Sequence, residues 1–200
     1  MITARGVRQG AQLKCIYTNA CSMGNKQEEL EAIVWQANYD LVAITETWWD
    51  CSHDWRIAMD GYKPFRKDRQ GRRGVCVAFY VRESFDVVEF AAVDDKVESL
   101  WVRIKGRTDM ADILVGVCYR LPNQNEEVDE LFYEQTREVV LSLALILVED
   151  VSFPDICWEY DTVQKKKSRR VLGCMEDNFL LQLVREPARE GALTDLLFTN

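Results

Sequence analysis

Residues 13–45 read LKCIYTNACSMGNKQEELEAIVWQANYDLVAIT, and the order of patterns in this stretch decides the fold. Leu13 to Thr18 is rich in β-formers and roughly alternating, which predicts a strand. Asn19 follows at its end, in a turn-like run to Gly24. Asn25 then reads as a helix N-cap, with Glu28 three residues on completing a capping box. Leu30, Ile33, Val34 and Ala37 are spaced as one apolar helical stripe. LVAIT at 41–45 is short and wholly apolar, the pattern of a strand buried on both faces. Strand, turn, capped helix, strand is the opening of an α/β fold.

Further along, the chain becomes strand-rich. Gly74 to Val81, Phe85 to Phe90, Val97 to Ile104 and Ile113 to Tyr119 all read as strands, with Thr108 and Asp109 in a turn. Such a succession predicts antiparallel neighbours rather than a purely doubly wound sheet. Pro122 and Asn123 close it. A second helix is expected over Glu126 to Ser142, burying Val128, Leu131, Phe132, Val139 and Val140. The apolar run LALILV at 143–148 follows, and Pro154 then stops regular structure. Lys165 to Arg170, KKKSRR, begins or flanks a third helix reaching toward Phe179 and Leu183. Leu193 to Thr199 is the last expected strand.

The 200 residues, 48% hydrophobic and 29% charged, suit one well-filled core. Residues 1–12 read as an N-terminal extension and 13–200 as the domain. The longest apolar run, Leu141 to Val148, is interrupted by Ser142 and suits a strand, so no membrane is expected as a partner. No hydrophobic stretch precedes Leu13, which points to a cytoplasmic or nuclear chain rather than a secreted one. Seven scattered cysteines, none in a C-x-x-C pair, and a single histidine, His53, argue against a zinc site or a disulfide framework. The net charge of −8 argues against tight non-specific nucleic-acid binding but leaves room for a local basic rim and a metal ion. Arg66, Lys67, Arg69, Arg72 and Arg73 form one such basic interval, readable as a solvated loop or as a phosphate contact.

Polar residues stand at the ends of several of these strands, where loops converge on a rigid support. Glu46 reads either as a strand-end charge or as a hard oxygen ligand for magnesium. Asn19 is a turn residue or a phosphate-site positioner. Tyr119 is a sheet tyrosine or a donor to a phosphate oxygen. Asp150, directly after LALILV, has the place of a carboxylate that orients or deprotonates water. Asp195 interrupts LTDLLF, as a carboxylate that orients a catalytic histidine does. His53, near Trp49 and Trp55, reads as an exposed loop residue. Trp48 and Trp49 read first as packing against the sheet and second as base-stacking residues.

The pieces YTNACSMGNK, VAITETWW, VGVCYRLPNQ, EDVSFPD and LTDLLFTN resemble the endonuclease/exonuclease/phosphatase family. More narrowly, they resemble the apurinic-type endonuclease domain of chicken-repeat-1-like non-LTR retrotransposons. The resemblance runs in order from about Leu13 to Asn200. It implies a DNase-I-like α/β fold: a two-sheet sandwich flanked by helices, here expected to lack its last strands. It also implies a nicking site at one edge that uses Mg2+ or Mn2+. Asn19 matches the family's early asparagine, Glu46 its metal-binding glutamate and Tyr119 its phosphate-contacting tyrosine. Asp150 matches the aspartate that handles the nucleophilic water, and Asp195 the late aspartate behind the catalytic histidine. DNA is the implied partner, and full-length relatives carry a reverse transcriptase domain in the same chain. The departures are Glu149 for the family's glycine, Ser152 for its asparagine, and the Ser-Asp-His segment expected beyond Asn200. These imply a degenerate endonuclease, weakly active or inactive, with a non-catalytic relic or partner-binding fragment as the alternative.

Overall fold

The structure is a computed structural model. It describes residues 13–48, 58–67, 77–90, 96–106, 110–120, 124–140, 143–150, 153, 155–158, 160, 162–184 and 195–200, with the backbone of 2–5. The first sheet holds β1 (Ile2–Arg5), β2 (Lys14–Asn19), β3 (Leu41–Thr45), β4 (Tyr62–Lys67) and β5 (Val77–Arg82), in the order β1-β2-β3-β5-β4. The second holds β6 (Val87–Phe90), β7 (Ser99–Ile104), β8 (Ile113–Tyr119), β9 (Ala144–Asp150), β12 (Leu181–Gln182) and β13 (Asp195–Thr199). Its order is β12-β13-β9-β8-β7-β6. Between β9 and β12 in sequence, β10 (Ile156–Cys157) and β11 (Thr162–Val163) form a short hairpin.

Among the described residues two strand pairs are parallel, β2 with β3 and β8 with β9. Each is bridged by a helix, α1 (Gln27–Ala37) and α2 (Glu126–Val140) respectively, because parallel neighbours need a crossover long enough to return the chain. The run β6-β7-β8 is the expected antiparallel meander. A third helix, α3 (Lys166–Asp177), follows β11.

Alternation along the strands sorts the side chains into layers. Ile16, Val42, Ile44, Ala78 and Tyr80 form one cluster with Leu30 and Val34 of α1. Tyr17, Leu41, Ala43, Val115, Val117, Val148 and Leu197 fill the space between the sheets. Trp101, Leu114, Leu145, Leu147, Leu196 and Phe198 pack with Phe132, Val139, Val171 and Met175 of α2 and α3. The layers are therefore helix, sheet, sheet and helices. Trp101 lies opposite Gly116 across β7 and β8, and a Cβ added at Gly116 would stand 2.3 Å from the Trp101 ring. Gly116→Ala is expected to cost about 1–3 kcal/mol by overpacking, read as a lower midpoint in urea unfolding.

Some local expectations are corrected. Helix α1 begins after Lys26, with no side-chain cap. The Asn25–Glu28 capping box is not formed, because Asn25 sits one residue outside the cap position. Helix α3 stops at Asp177 instead of running to Phe179 or Leu183. Phe179 turns left-handed at φ 55°, and the Leu180 amide closes back onto the Met175 carbonyl, a helix-ending arrangement. In α2, Phe132 and Val139 are buried as expected and Val128, Leu131 and Val140 are half-buried. Five strands were not anticipated in the sequence, among them the short hairpin strands β10 and β11. β1 lies in the N-terminal stretch, β4 lies partly in the basic interval, and β12 is only two residues long. Among the described residues, no helix is long and apolar enough to cross a membrane.

Candidate active site

Asn19 and Tyr119 are the last residues of their strands in the two parallel pairs, and Asp150 ends the strand beside Tyr119. Glu46 follows β3 immediately. Asp195 opens β13, directly opposite Asp150 in the antiparallel register. Counting back by twos places Asn19 on the face of Tyr17, Tyr119 on that of Val117, Asp150 on that of Val148, and Asp195 on that of Leu197. Those partners all lie between the sheets. The inter-sheet layer thus changes from apolar to polar where these strands end.

Hydrogen bonds tie the two sheets together there. Asn19 Nδ2 donates to Asp150 Oδ2 at 2.6 Å, and Thr45 Oγ1 donates to the same oxygen at 2.9 Å. The Tyr17 hydroxyl pairs with Thr45 Oγ1 at 2.9 Å and donates to Asp195 Oδ1 at 3.5 Å. Asn19 Oδ1 accepts from the Cys21 amide at 2.9 Å, so the asparagine serves both as a turn residue and as an orienter of Asp150. The structure brings three of the five sequence-selected residues, Asn19, Asp150 and Asp195, into contact with one another or with these hydroxyls. The other two pair with each other: Glu46 accepts a hydrogen bond from the Tyr119 side chain.

The backbone at Glu46 is left-handed, with φ 53°. That conformation costs a non-glycine residue about 1–2 kcal/mol. It is held by backbone bonds from the Ser22 amide to the Glu46 carbonyl and from the Met23 amide to the Thr47 carbonyl. These extend the β2–β3 pairing past the strand ends.

Burial pushes Asp150 up to about 6; the bonds from Thr45 and Asn19 oppose the rise, while the charges of Asp195 and Glu46 add to it. The Tyr119 hydroxyl is pushed well above its ordinary value by burial and then by the charge and hydrogen bond of Glu46. Behind the site, Arg120 donates from Nε to Asp129 Oδ1 at 2.8 Å and from Nη2 to Oδ2 at 2.9 Å. Its guanidinium also lies over the Phe153 ring. This buried fork anchors the chain next to Tyr119 onto α2.

Glu149 points the other way. It shares the outward face of Leu145 and Leu147, is 0% exposed, and among the described residues neither carboxylate oxygen has a hydrogen-bond partner. Burial pushes it up to about 8, and Arg120 only partly offsets the rise. Where the family it resembles has glycine, this chain places a carboxyl in an apolar core.

Trp48 is 59% exposed, so the expected packing against the sheet is not formed. Ser152, His53, Trp49, Trp55, Arg69, Arg72 and Arg73 lie outside the described residues. Arg66 and Lys67 belong to β4 rather than to a loop. In the KKKSRR run, Lys167 pairs with Asp129 and Arg170 with Glu130 of α2. Thr45 and Tyr17 were missed in the sequence because both read as ordinary strand residues. The available signal was that Tyr17 stands two positions before Asn19, on the same strand face.

The sequence matches no family model and no curated protein. Solved structures do match. The endonuclease domain of TRAS1, a telomere-specific non-LTR retrotransposon, is 17% identical with a TM-score of 0.67, over 92% of this chain and 84% of that one. The 3′ phosphatase NExo from Neisseria, bound to a product DNA hairpin, is 13% identical with a TM-score of 0.67, over 94% and 86%. The mannosyl-6-phosphatase Bt3783 of Bacteroides thetaiotaomicron is 15% identical with a TM-score of 0.61, over 88% and 76%. The chain therefore has the two-sheet α/β fold that these endonucleases and phosphatases share.

Proposed function

We propose that the chain is a metal-dependent DNA phosphodiesterase, the endonuclease domain of a retrotransposon protein, working with reduced efficiency. The observation that carries this reading is the convergence of Asn19, Glu46, Tyr119, Asp150 and Asp195 at one end of the inter-sheet layer. A site of this kind calls for a hard divalent cation. Magnesium takes one or two protein carboxylates and completes its shell with water and substrate phosphate. Glu46, at the half-buried mouth, meets that need, and Asp150 and Asp195 add negative charge nearby. Among the described residues no group of three or more His, Cys, Asp or Glu could hold a metal ion by itself. When bound, Mg2+ or Mn2+ would offset charge on the phosphate.

The chain's own groups do the rest. Asp150, held by Asn19, takes a proton from the attacking water. Tyr119 stays protonated across the working range and so can donate to a phosphate oxygen. Asp195 braces this centre through Tyr17. DNA as the substrate rests on the resemblance and on the nuclease relatives; the phosphatase relatives with the same fold make a substrate panel necessary. Reduced efficiency is supported by Glu149, whose only partly compensated burial lies beside Asp150 in the chain.

The test is relaxation of supercoiled plasmid by the purified chain in magnesium, beside abasic DNA and phosphorylated sugars. Nicking that chelator removes and that Glu46→Ala lowers at least about 100-fold is the expected result. A folded chain that leaves plasmid intact but hydrolyses a sugar phosphate would move the reading to a phosphatase. One that cleaves nothing leaves the non-catalytic alternative.

A further inference from the structure

Asp150 and Asp195 stand directly opposite each other on neighbouring antiparallel strands and on the same face. Like charges so placed repel, and both sit where water is partly excluded. Two hydroxyls from the other sheet are inserted against them. Thr45 is 0% and Tyr17 3% exposed.

We propose that Thr45 and Tyr17 are positioning residues of this site, a two-hydroxyl bridge that fixes the Asp150 carboxylate and couples it to Asp195. The proposal deepens the nuclease reading and, for its catalytic consequence, rests on it. Proton counting sets the direction of the bridge. An ionised carboxylate only accepts, so Thr45 commits its one proton to Asp150 Oδ2. Tyr17 must then donate to Thr45 Oγ1 at 2.9 Å, with Asp195 Oδ1 at 3.5 Å and the Asp150 carboxylate also within reach of its single proton. The shorter contact marks the main acceptor. Asn19 Nδ2 fills the remaining donor place on Oδ2. With Oδ2 held by two donors, Oδ1 is the oxygen that meets the attacking water.

The bridge also places rigid strand residues, rather than loop residues, behind the reacting group. Small errors of position are costly in such sites. Tyr17 is suited to the task because burial first, and then Asp150 and Asp195, hold its hydroxyl well above the ordinary value. It remains a donor at every working pH. Among the described residues, the titratable groups that act on Asp150 from the elements around it are Asp195, Glu46, Tyr17, Tyr119 and Cys118.

The test compares Thr45→Val, which keeps the shape and loses the hydroxyl, with Thr45→Ser and Tyr17→Phe, each checked for folding. Two readouts are taken. In the metal-free chain labelled with 13C-carboxyl aspartate, the Asp150 signal is assigned by its loss in Asp150→Asn. Its titration midpoint is expected to rise about one pH unit in Thr45→Val, to return in Thr45→Ser, and to move less in Tyr17→Phe. In plasmid nicking, Thr45→Val is expected to lower kcat roughly 10- to 100-fold with KM unchanged, and Thr45→Ser to restore it.

A midpoint and kcat in Thr45→Val that both match the parent would reduce the hydroxyls to packing and overturn the proposal. The NMR arm needs no turnover. If the parent cleaves nothing while the midpoint still shifts, the bridge stands and the nuclease reading falls.

Discussion

Asp150→Asn is expected to lower nicking about 10²- to 10⁴-fold, the usual worth of a positioned proton acceptor. The substitution is isosteric, and the new amide oxygen still accepts from Thr45 and Asn19, which both bond Asp150 Oδ2. What is lost is the basicity of the other oxygen. Stability should hold or rise, because a half-buried charge opposite Asp195 is removed. A variant that is folded by circular dichroism and nicks within tenfold of the parent would sink the assignment of Asp150 as base.

The same carboxylate sets the acid limb of activity. Its metal-free midpoint of about 6 is an upper bound for that limb, because a divalent cation nearby favours the charged form. Activity should therefore be lost as pH falls through 6 or below, and kept above it.

Glu149→Met is expected to stabilise the fold on the order of 2–4 kcal/mol at pH 8 and above, by removing a buried carboxyl without hydrogen-bond partners. The physical basis is linkage. The folded-state value is raised from 4.5 to about 8, so between these pH values the folded chain holds a proton that the unfolded chain has released. In that window stability falls as pH rises, at up to about 1.4 kcal/mol per unit. Below the window both states are protonated and nothing is lost.

The parent should thus melt progressively lower from pH 5 to 8, whereas Glu149→Met should show a flatter profile. For a chain of this length the gap at pH 8 corresponds to roughly 5–15 °C in Tm. Equal pH slopes in the two proteins would show that Glu149 finds a partner in solution. If the variant also nicks faster, the buried carboxyl is one cause of the reduced efficiency proposed above; if only Tm changes, Asp150 is already well placed.

How much of this was legible in the sequence follows from the range of each interaction. The stretch 13–45 carried its strand–helix–strand order locally, in alternation and in a helical stripe, and β2, α1 and β3 lie where those patterns put them. Ile113–Tyr119 matches its expected bounds in full. Helix ends were read less well. The box at Asn25 and Glu28 competes with a turn through Gly24 that the Lys26 amide closes onto the Met23 carbonyl, and the stop of α3 depends on the left-handed Phe179.

By itself the sequence determined which residue types stand at the strand ends: Asn19, Glu46, Tyr119 and Asp150, each at the point where an apolar run stops. Asp195 was legible as a charge interrupting such a run. These are local facts of pattern, encoded within a few residues. Only the tertiary structure decided that these ends meet. β2 and β9 belong to different sheets, so the bond from Asn19 to Asp150 spans 131 positions and exists only once both sheets have packed face to face. The period of two that turns Asp150 inward toward Thr45 turns Glu149 outward beneath the helices, and nothing in EDV says which face will be which. That choice belongs to the packing of Val148 between the sheets and Leu147 under α2 and α3, where burying each apolar side chain selects the register.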